Sequence, residues 1–263
     1  KTRLPERAMD SKNGRVLVVA GSDSSAGAGV DADRDALEFL QVPADYVVTA
    51  WTQQSAQGVS DMGRVPVDEW LQEALGHLQK NPSVLKLGLL PGAEAIAKVR
   101  DLVLALAPGT PTIFDPVLAS SSGTRFHEPD AIPSIRAALL PLGLIWTPNL
   151  PELAELSATD LEELLGSEAA RVAAGIELLD RGARGVLIKG GHGSGDTVQD
   201  LLLEPGQWAQ VFRRPRCPGP GIRGSGCRFA SAVAGHLALG KPLREAVRRA
   251  GSFVAQRLSE LRD

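Results

Sequence analysis

Six short apolar runs, each ending at or beside a glycine, a polar residue or a tryptophan, recur along this chain at residues 15–20, 45–51, 84–89, 112–115, 144–147 and 185–189. Between them lie stretches with apolar residues at helical spacing, at 30–40, 67–78, 93–106, 131–140 and 168–181. Strands this short and this apolar are buried on both faces, which a parallel sheet allows because its connecting helices cover both sides. The pattern therefore predicts an α/β fold with a mostly parallel central sheet and right-handed crossovers. After Gly190-Gly191-His192 the period changes. Residues 198–203 and 208–213 flank Glu204-Pro205-Gly206 and read as an antiparallel hairpin at a sheet edge. Residues 228–240 and 242–261 read as two closing helices. With no linker or internal repeat, the expectation is one domain over 15–263, preceded by a flexible arm over 1–14.

Composition excludes several classes. The chain has 263 residues, 43% of them hydrophobic, and a net charge of −3, which provides no field for nucleic acid or an anionic membrane. The two cysteines, Cys217 and Cys227, frame a segment rich in proline and glycine and form neither a disulfide framework nor a metal site, so a reducing cytoplasm is expected. Residues 1–15 lack the apolar core of a signal peptide, and no segment offers the roughly 18 apolar residues of a membrane span.

In an open parallel sheet, ligands bind outside the carboxyl ends of the strands. The groups expected there are Gly21 and Asp23, then Thr52-Gln53-Gln54, Lys86-Leu87-Gly88, Asp115, Asn149 with Glu152, and Lys189 with His192. To these the sequence adds Gly224-Ser225-Gly226-Cys227, ahead of the apolar run 229–239. Glycines there permit a sharp turn that points backbone N–H groups at one spot, as helix N-termini do toward phosphate. Carboxylates hold Mg²⁺ through water, while lysine and N–H groups neutralise phosphate, so the set suits Mg-nucleotide chemistry. Blander readings stay open. Asp115 before Pro116 fits a turn cap, Asn149 and Glu152 fit a capping box around Pro151, and 224–227 fits a glycine loop opening a core helix. No Gly-x-x-x-x-Gly-Lys-Ser/Thr loop occurs.

In their order and spacing the motifs resemble one family. They are Ala20-Gly21-Ser22-Asp23 through Gly27-Ala28-Gly29, Ala32-Asp33, Thr49-Ala50 with Gln54, Lys86-Leu87-Gly88, Asp115-Pro116-Val117, Thr147 to Glu152, Lys189 to His192, and Gly224 to Cys227. The chain is similar to the hydroxymethylpyrimidine and phosphomethylpyrimidine kinases of thiamine biosynthesis, within the ribokinase-like superfamily. A cysteine where ribokinase-like sugar kinases carry aspartate points to the pyrimidine and pyridoxal branch.

The resemblance implies a three-layer α/β/α fold, ATP and Mg²⁺ as cofactors, a homodimer, and phosphorylation of a hydroxymethylpyrimidine and then of its monophosphate. It implies that Gln54, Gly21 and Asp33 meet the aminopyrimidine and that Leu89 and Val117 form apolar walls. Asp115 and Glu152, with Asn149, would organise Mg²⁺, and Lys189 would meet the nucleotide. Cys227 would be a base of lowered pKa, with the N–H groups of Gly224, Ser225 and Gly226 around the phosphoryl group. The family often has lysines near Ser120-Ser121-Ser122-Gly123 and in the final helix, where this chain has Ala250-Gly251. Arg223 and Arg228 are expected to replace that charge, and Gly251 to mark a close approach. A pyridoxal or pyridoxine kinase, or a non-catalytic pyrimidine-binding relative, are the competing readings.

Overall fold

The computed structural model describes residues 14–24, 27–55, 58–120, 123–127, 131–193, 195–219 and 221–261, with the side chains of 54, 55 and 58–61 outside that description. Apart from Gly14, the expected N-terminal arm lies outside the described residues.

The elements follow the alternation seen in the sequence. They are β1 (Val16–Asp23), α1 (Val30–Phe39), β2 (Ala44–Ser55), β3 (Gly58–Arg64), α2 (Val67–His77), β4 (Val84–Leu87), α3 (Gly92–Ala105), β5 (Thr112–Phe114) and α4 (Ala131–Leu139). Then come β6 (Ile145–Trp146), α5 (Leu150–Ser157), α6 (Leu161–Gly166), α7 (Glu168–Asp180), β7 (Gly185–Ile188), β8 (Thr197–Leu203), β9 (Gln210–Pro215), α8 (Ser225–Ala238) and α9 (Leu243–Glu260). The strands form one sheet in the order β3-β2-β1-β4-β5-β6-β7-β8-β9. From β2 to β7 neighbours run parallel, while β3 pairs antiparallel with β2, and β8 and β9 pair antiparallel at the other end.

Alternation along each strand sorts the core into two layers. Leu17, Val19, Leu85, Leu87, Phe114 and Trp146 face the side packed by α2 to α7. Val16, Val18, Ala20, Val84, Ile113 and Ile145 face α1, α8 and α9. Each such Val, Leu, Ile or Phe side chain, fully buried, contributes roughly 1.5–3 kcal/mol. These two apolar faces explain why so short a strand as β6 persists in the middle of the sheet. Among the described residues, no helix is long and apolar enough to cross a membrane.

The parallel centre and the β8–β9 edge agree with the sequence pattern. Strand β3 was not expected, since Gly58–Arg64 lacks apolar alternation and owes its conformation to pairing with the long β2. Helices α5 and α6 fill a gap left between residues 147 and 168. Helix α8 starts at Ser225, so the serine, second glycine and cysteine of the glycine motif form its first turn.

Candidate active site

The strand order leaves a cleft of about 710 Å³ over the carboxyl ends of the parallel strands. One end is apolar. Ala50, Leu89 and Phe126 are buried together, with Met62 and Val117 packed against them. Thr49 Oγ1 donates to the Leu89 carbonyl at 2.6 Å and fixes this wall. Gly21 belongs here because a Cβ on it would come within 3.0 Å of Leu89 Cδ2. Val117 lies on the cleft with φ 38°, a left-handed conformation that costs a β-branched residue about 1–3 kcal/mol.

The other end is charged. Asp115 follows β5, and its Oδ1 accepts from Lys189 Nζ at 2.5 Å and from Thr147 Oγ1 at 3.3 Å. Lys189 Nζ also lies 3.9 Å from Glu152 Oε2. Glu152 is held by a capping box at the start of α5. The Asn149 N–H donates to Glu152 Oε2 at 2.8 Å, and the Glu152 N–H donates to Asn149 Oδ1 at 2.9 Å. Burial pushes the Glu152 carboxyl up to about 7, with the Asp115 charge adding to the rise against the pull of Lys189. Burial acts the same way on Asp115, but Lys189 and Lys86 outweigh it and hold Asp115 below the usual range. Lys189 is correspondingly raised and stays an ammonium: burial opposes its charge, and Asp115 and Glu152 prevail.

Above this pair sits the glycine turn. Gly224 has φ 72°, and a Cβ there would fall 2.3 Å from the Gly27 carbonyl oxygen, so only glycine fits. No side chain caps α8. A Cβ on Gly226 would be 3.2 Å from Lys189 Nζ, which places that ammonium directly beside the helix mouth. Cys227 opens onto the cleft with part of its surface. Its thiol departs from the expectation of a lowered pKa. Burial pushes it up to about 12, Asp115 adds to the rise, and Lys86 and Lys189 offset only part of it.

Gly21, Leu89, Val117, Asp115, Asn149, Glu152, Lys189 and all of Gly224 to Cys227 line this one cleft. Four expected residues fall elsewhere or outside view. Asp33 is fully buried beneath the cleft, where both its oxygens accept from Lys86 Nζ, so it does not reach a ring in the pocket. Arg228 does not line the cleft, although its Nη1 stands at the helix start, 2.9 Å from where a Cβ on Gly224 would be. Its Nε donates to Asp35 at 2.5 Å, and Nη1 donates to the Gly27 and Arg223 carbonyls. Arg223 pairs with the buried Asp23. Gln54 lies in β2, with its side chain outside the described residues, as are Ser121 and Ser122. Gly251 shows no tight approach, since a Cβ there would meet Arg214 Nη1 at an ordinary 3.6 Å.

The sequence reading missed Phe126, which closes the apolar end, and Val254, Ala255 and Leu258 of α9, which line the far wall. It also missed the task of Arg216. This side chain donates to the carbonyls of Gly195, Gly191 and Gly193 at 2.7, 2.7 and 2.6 Å and so pins the loop after Lys189. The three glycines it binds are the signal that was available, since a glycine leaves its carbonyl unshielded by a side chain.

The profile of the phosphomethylpyrimidine kinase family matches residues 23–262. The chain belongs to that family. Among curated relatives, the hydroxymethylpyrimidine/phosphomethylpyrimidine kinase of Streptomyces coelicolor is 36% identical over 91% of this chain and 86% of its own length. The thiamine biosynthesis bifunctional protein ThiED of Geobacter sulfurreducens is 37% identical over 92% of this chain, which spans 48% of that longer protein. Among solved structures, the pyridoxal kinase of Staphylococcus aureus in complex with ADP superposes with a TM-score of 0.83 at 31% identity, covering 92% of this chain and 87% of that one. In the phosphomethylpyrimidine kinase family this chain thus keeps the ribokinase-like sheet, and its own cleft joins an apolar end to a helix mouth without a side-chain cap.

Proposed function

We infer that the protein is a hydroxymethylpyrimidine/phosphomethylpyrimidine kinase of thiamine biosynthesis, using ATP to phosphorylate the hydroxymethyl group and then the resulting monophosphate. The observation that carries this reading is the placement of Cys227 in the cleft that joins the apolar pocket to the open N-terminus of α8. Leu89, Val117 and Phe126 would hold the ring, and the Gln54 amide, donor and acceptor at once, would pair with a ring nitrogen and its neighbouring amino group. The loop and helix turn at Gly224 to Cys227, with Lys189 beside it, would hold the transferring phosphoryl oxygens.

Asp115 and Glu152 suit Mg²⁺, which takes oxygen ligands, keeps several waters and uses one or two protein carboxylates together with phosphate. When bound, it supplies charge neutralisation on the nucleotide phosphates. A carboxyl with a pKa near 7 would release its proton to solvent near neutral pH when such a cation takes its place. The hydroxyl oxygen attacks the γ-phosphorus, the bond to the bridging oxygen breaks, and ADP leaves. Because this transition state is loose, positioning matters more than early proton removal. A thiol that rests protonated is compatible with that order, taking part as base only once the loaded site favours its thiolate.

The nucleotide complex of the S. aureus structure favours ATP use, and the same structure supports a second reading, a pyridoxal kinase. Purified protein with ATP and Mg²⁺ should be offered hydroxymethylpyrimidine, its monophosphate and pyridoxal in parallel. Turnover of both pyrimidines above pyridoxal is expected. Pyridoxal as the preferred substrate establishes the second reading, and tight pyrimidine binding without transfer establishes a non-catalytic relative. Single-domain organisation over 15–263, a homodimer and a cytoplasmic location are part of the same proposal, and light scattering in solution tests the dimer.

A further inference from the structure

Lys86 stands at a position where alternation along β4 directs its side chain into the apolar layer under α1 and α8. It is fully buried. Asp33 of α1 meets its Nζ with both oxygens, at 2.8 and 2.9 Å, and Ser231 of α8 donates its hydroxyl to the same carboxylate at 2.8 Å. Burial works against the Lys86 charge, yet the Asp33 carboxylate outweighs it and the ammonium's pKa is raised. A buried pair of this kind is poor evidence of stability, because apolar residues of similar volume usually serve as well or better. Its location offers another purpose. Cys227 and Ser231 are one helical turn apart, so the face of α8 that carries the thiol is the face seated on the ion pair. Lys86 also belongs to the cleft lining, and a Cβ at Gly88 would come within 3.1 Å of its Nζ, so the missing side chain leaves room for that buried ammonium.

We propose that Lys86, seated by Asp33 and Ser231, is a positioning residue for phosphoryl transfer: from beneath the first turn of α8 it fixes Cys227 and offsets the negative charge that builds there. This rests on the kinase reading above. Asp115, Lys189 and Asp33 are the other charged groups that act on Cys227, from β5, β7 and α1.

The test compares wild type with Lys86→Met and with the double variant Lys86→Met/Asp33→Leu. The single variant strands a buried carboxylate and should melt well below wild type. The double variant removes both charges and should regain the wild-type melting temperature. If the pair only holds the core together, kcat returns with stability. On the proposal, kcat of the stable double variant stays down by about tenfold or more while KM for the pyrimidine changes little, as for lost transition-state stabilisation. A double variant with wild-type kcat, or with only KM raised, overturns it. Should the double variant not fold, Ser231→Ala leaves both charges in place and frees their seat. It should lower kcat about threefold with KM unchanged, and wild-type kcat there also overturns the proposal. Alkylation of Cys227 by iodoacetamide, followed by mass spectrometry, decides independently of turnover. Slowed alkylation in the double variant supports the coupling, unchanged alkylation refutes it, and a wild type without turnover refutes only the kinase reading.

Discussion

Two helices begin on the same cleft and end their open donors differently. Helix α5 closes its own N-terminus, with Asn149 and Glu152 exchanging side-chain and backbone hydrogen bonds. Helix α8 begins at a glycine with no side-chain cap, and its mouth faces Lys189 rather than a carboxylate. The free donors of a helix N-terminus must go to side chains, water or a ligand. At α5 the chain answers that need itself and in doing so holds Glu152 in place. At α8 the Ser225 N–H turns back to the Ile222 carbonyl at 3.3 Å, and no side chain answers the need of the N–H groups that follow. The same backbone physics therefore gives a closed helix start and an open one beside the same ammonium, Lys189, and the open one is where the proposed function puts the phosphoryl group.

The strongest way to break this contrast is to force a side chain into the open mouth. Gly224→Ala would place a Cβ 2.3 Å from the Gly27 carbonyl, and kcat should fall by about 100-fold or more as the N–H groups move off the phosphoryl oxygens. Near-normal turnover would show that the turn at α8 is not the transfer site. Next in size is Cys227→Ala, which should lower kcat by about tenfold or more with pyrimidine affinity unchanged, read from steady-state kinetics and calorimetry. Equal kcat would leave the thiol as packing.

Stability separates the two helices on a smaller scale. Asn149→Ala should cost about 1 kcal/mol in urea unfolding, whereas Ser225→Ala in the uncapped turn should change stability by less than about 0.5 kcal/mol. Similar losses at both would mean α8 is capped after all. The smallest effect is in pH. Glu152 has a folded-state pKa of about 7 against an ordinary 4.5, so between those values the folded protein keeps a proton that the unfolded chain has released. Its contribution to stability therefore declines as pH rises through that window. Glu152→Gln removes the decline, and its melting temperature should gain on wild type from pH 5 to pH 7. A constant difference would place the carboxyl's pKa at its ordinary value.

The strand ends were legible because each apolar run stops at a glycine or polar residue, and those stops landed on one cleft. The capping box at Asn149 and Glu152 was legible too, though only geometry shows that it coexists with a place on the cleft. What could not be read were partnerships set by packing between distant segments. Asp33 meets Lys86 through the layer between α1 and β4, Arg228 finds Asp35 on α1, and Arg223 finds Asp23 at the end of β1. Each looked free in sequence because its partner is remote. The pKa of Cys227 depends on the same packing, since burial raises it and Asp115 adds to the rise, with Lys86 and Lys189 offsetting only part.

The strand order has a kinetic consequence. The cleft collects Asp23 from the first strand and Cys227 from the penultimate helix, with β5, β6 and β7 contributing between them. Parallel neighbours bring together segments far apart in the chain, and such long-range closures form slowly. In refolding from denaturant, helical signal should thus return well before any phosphoryl transfer, which must wait until α8 docks. Partly assembled forms would be inert rather than weakly active, so recovered activity counts completed molecules.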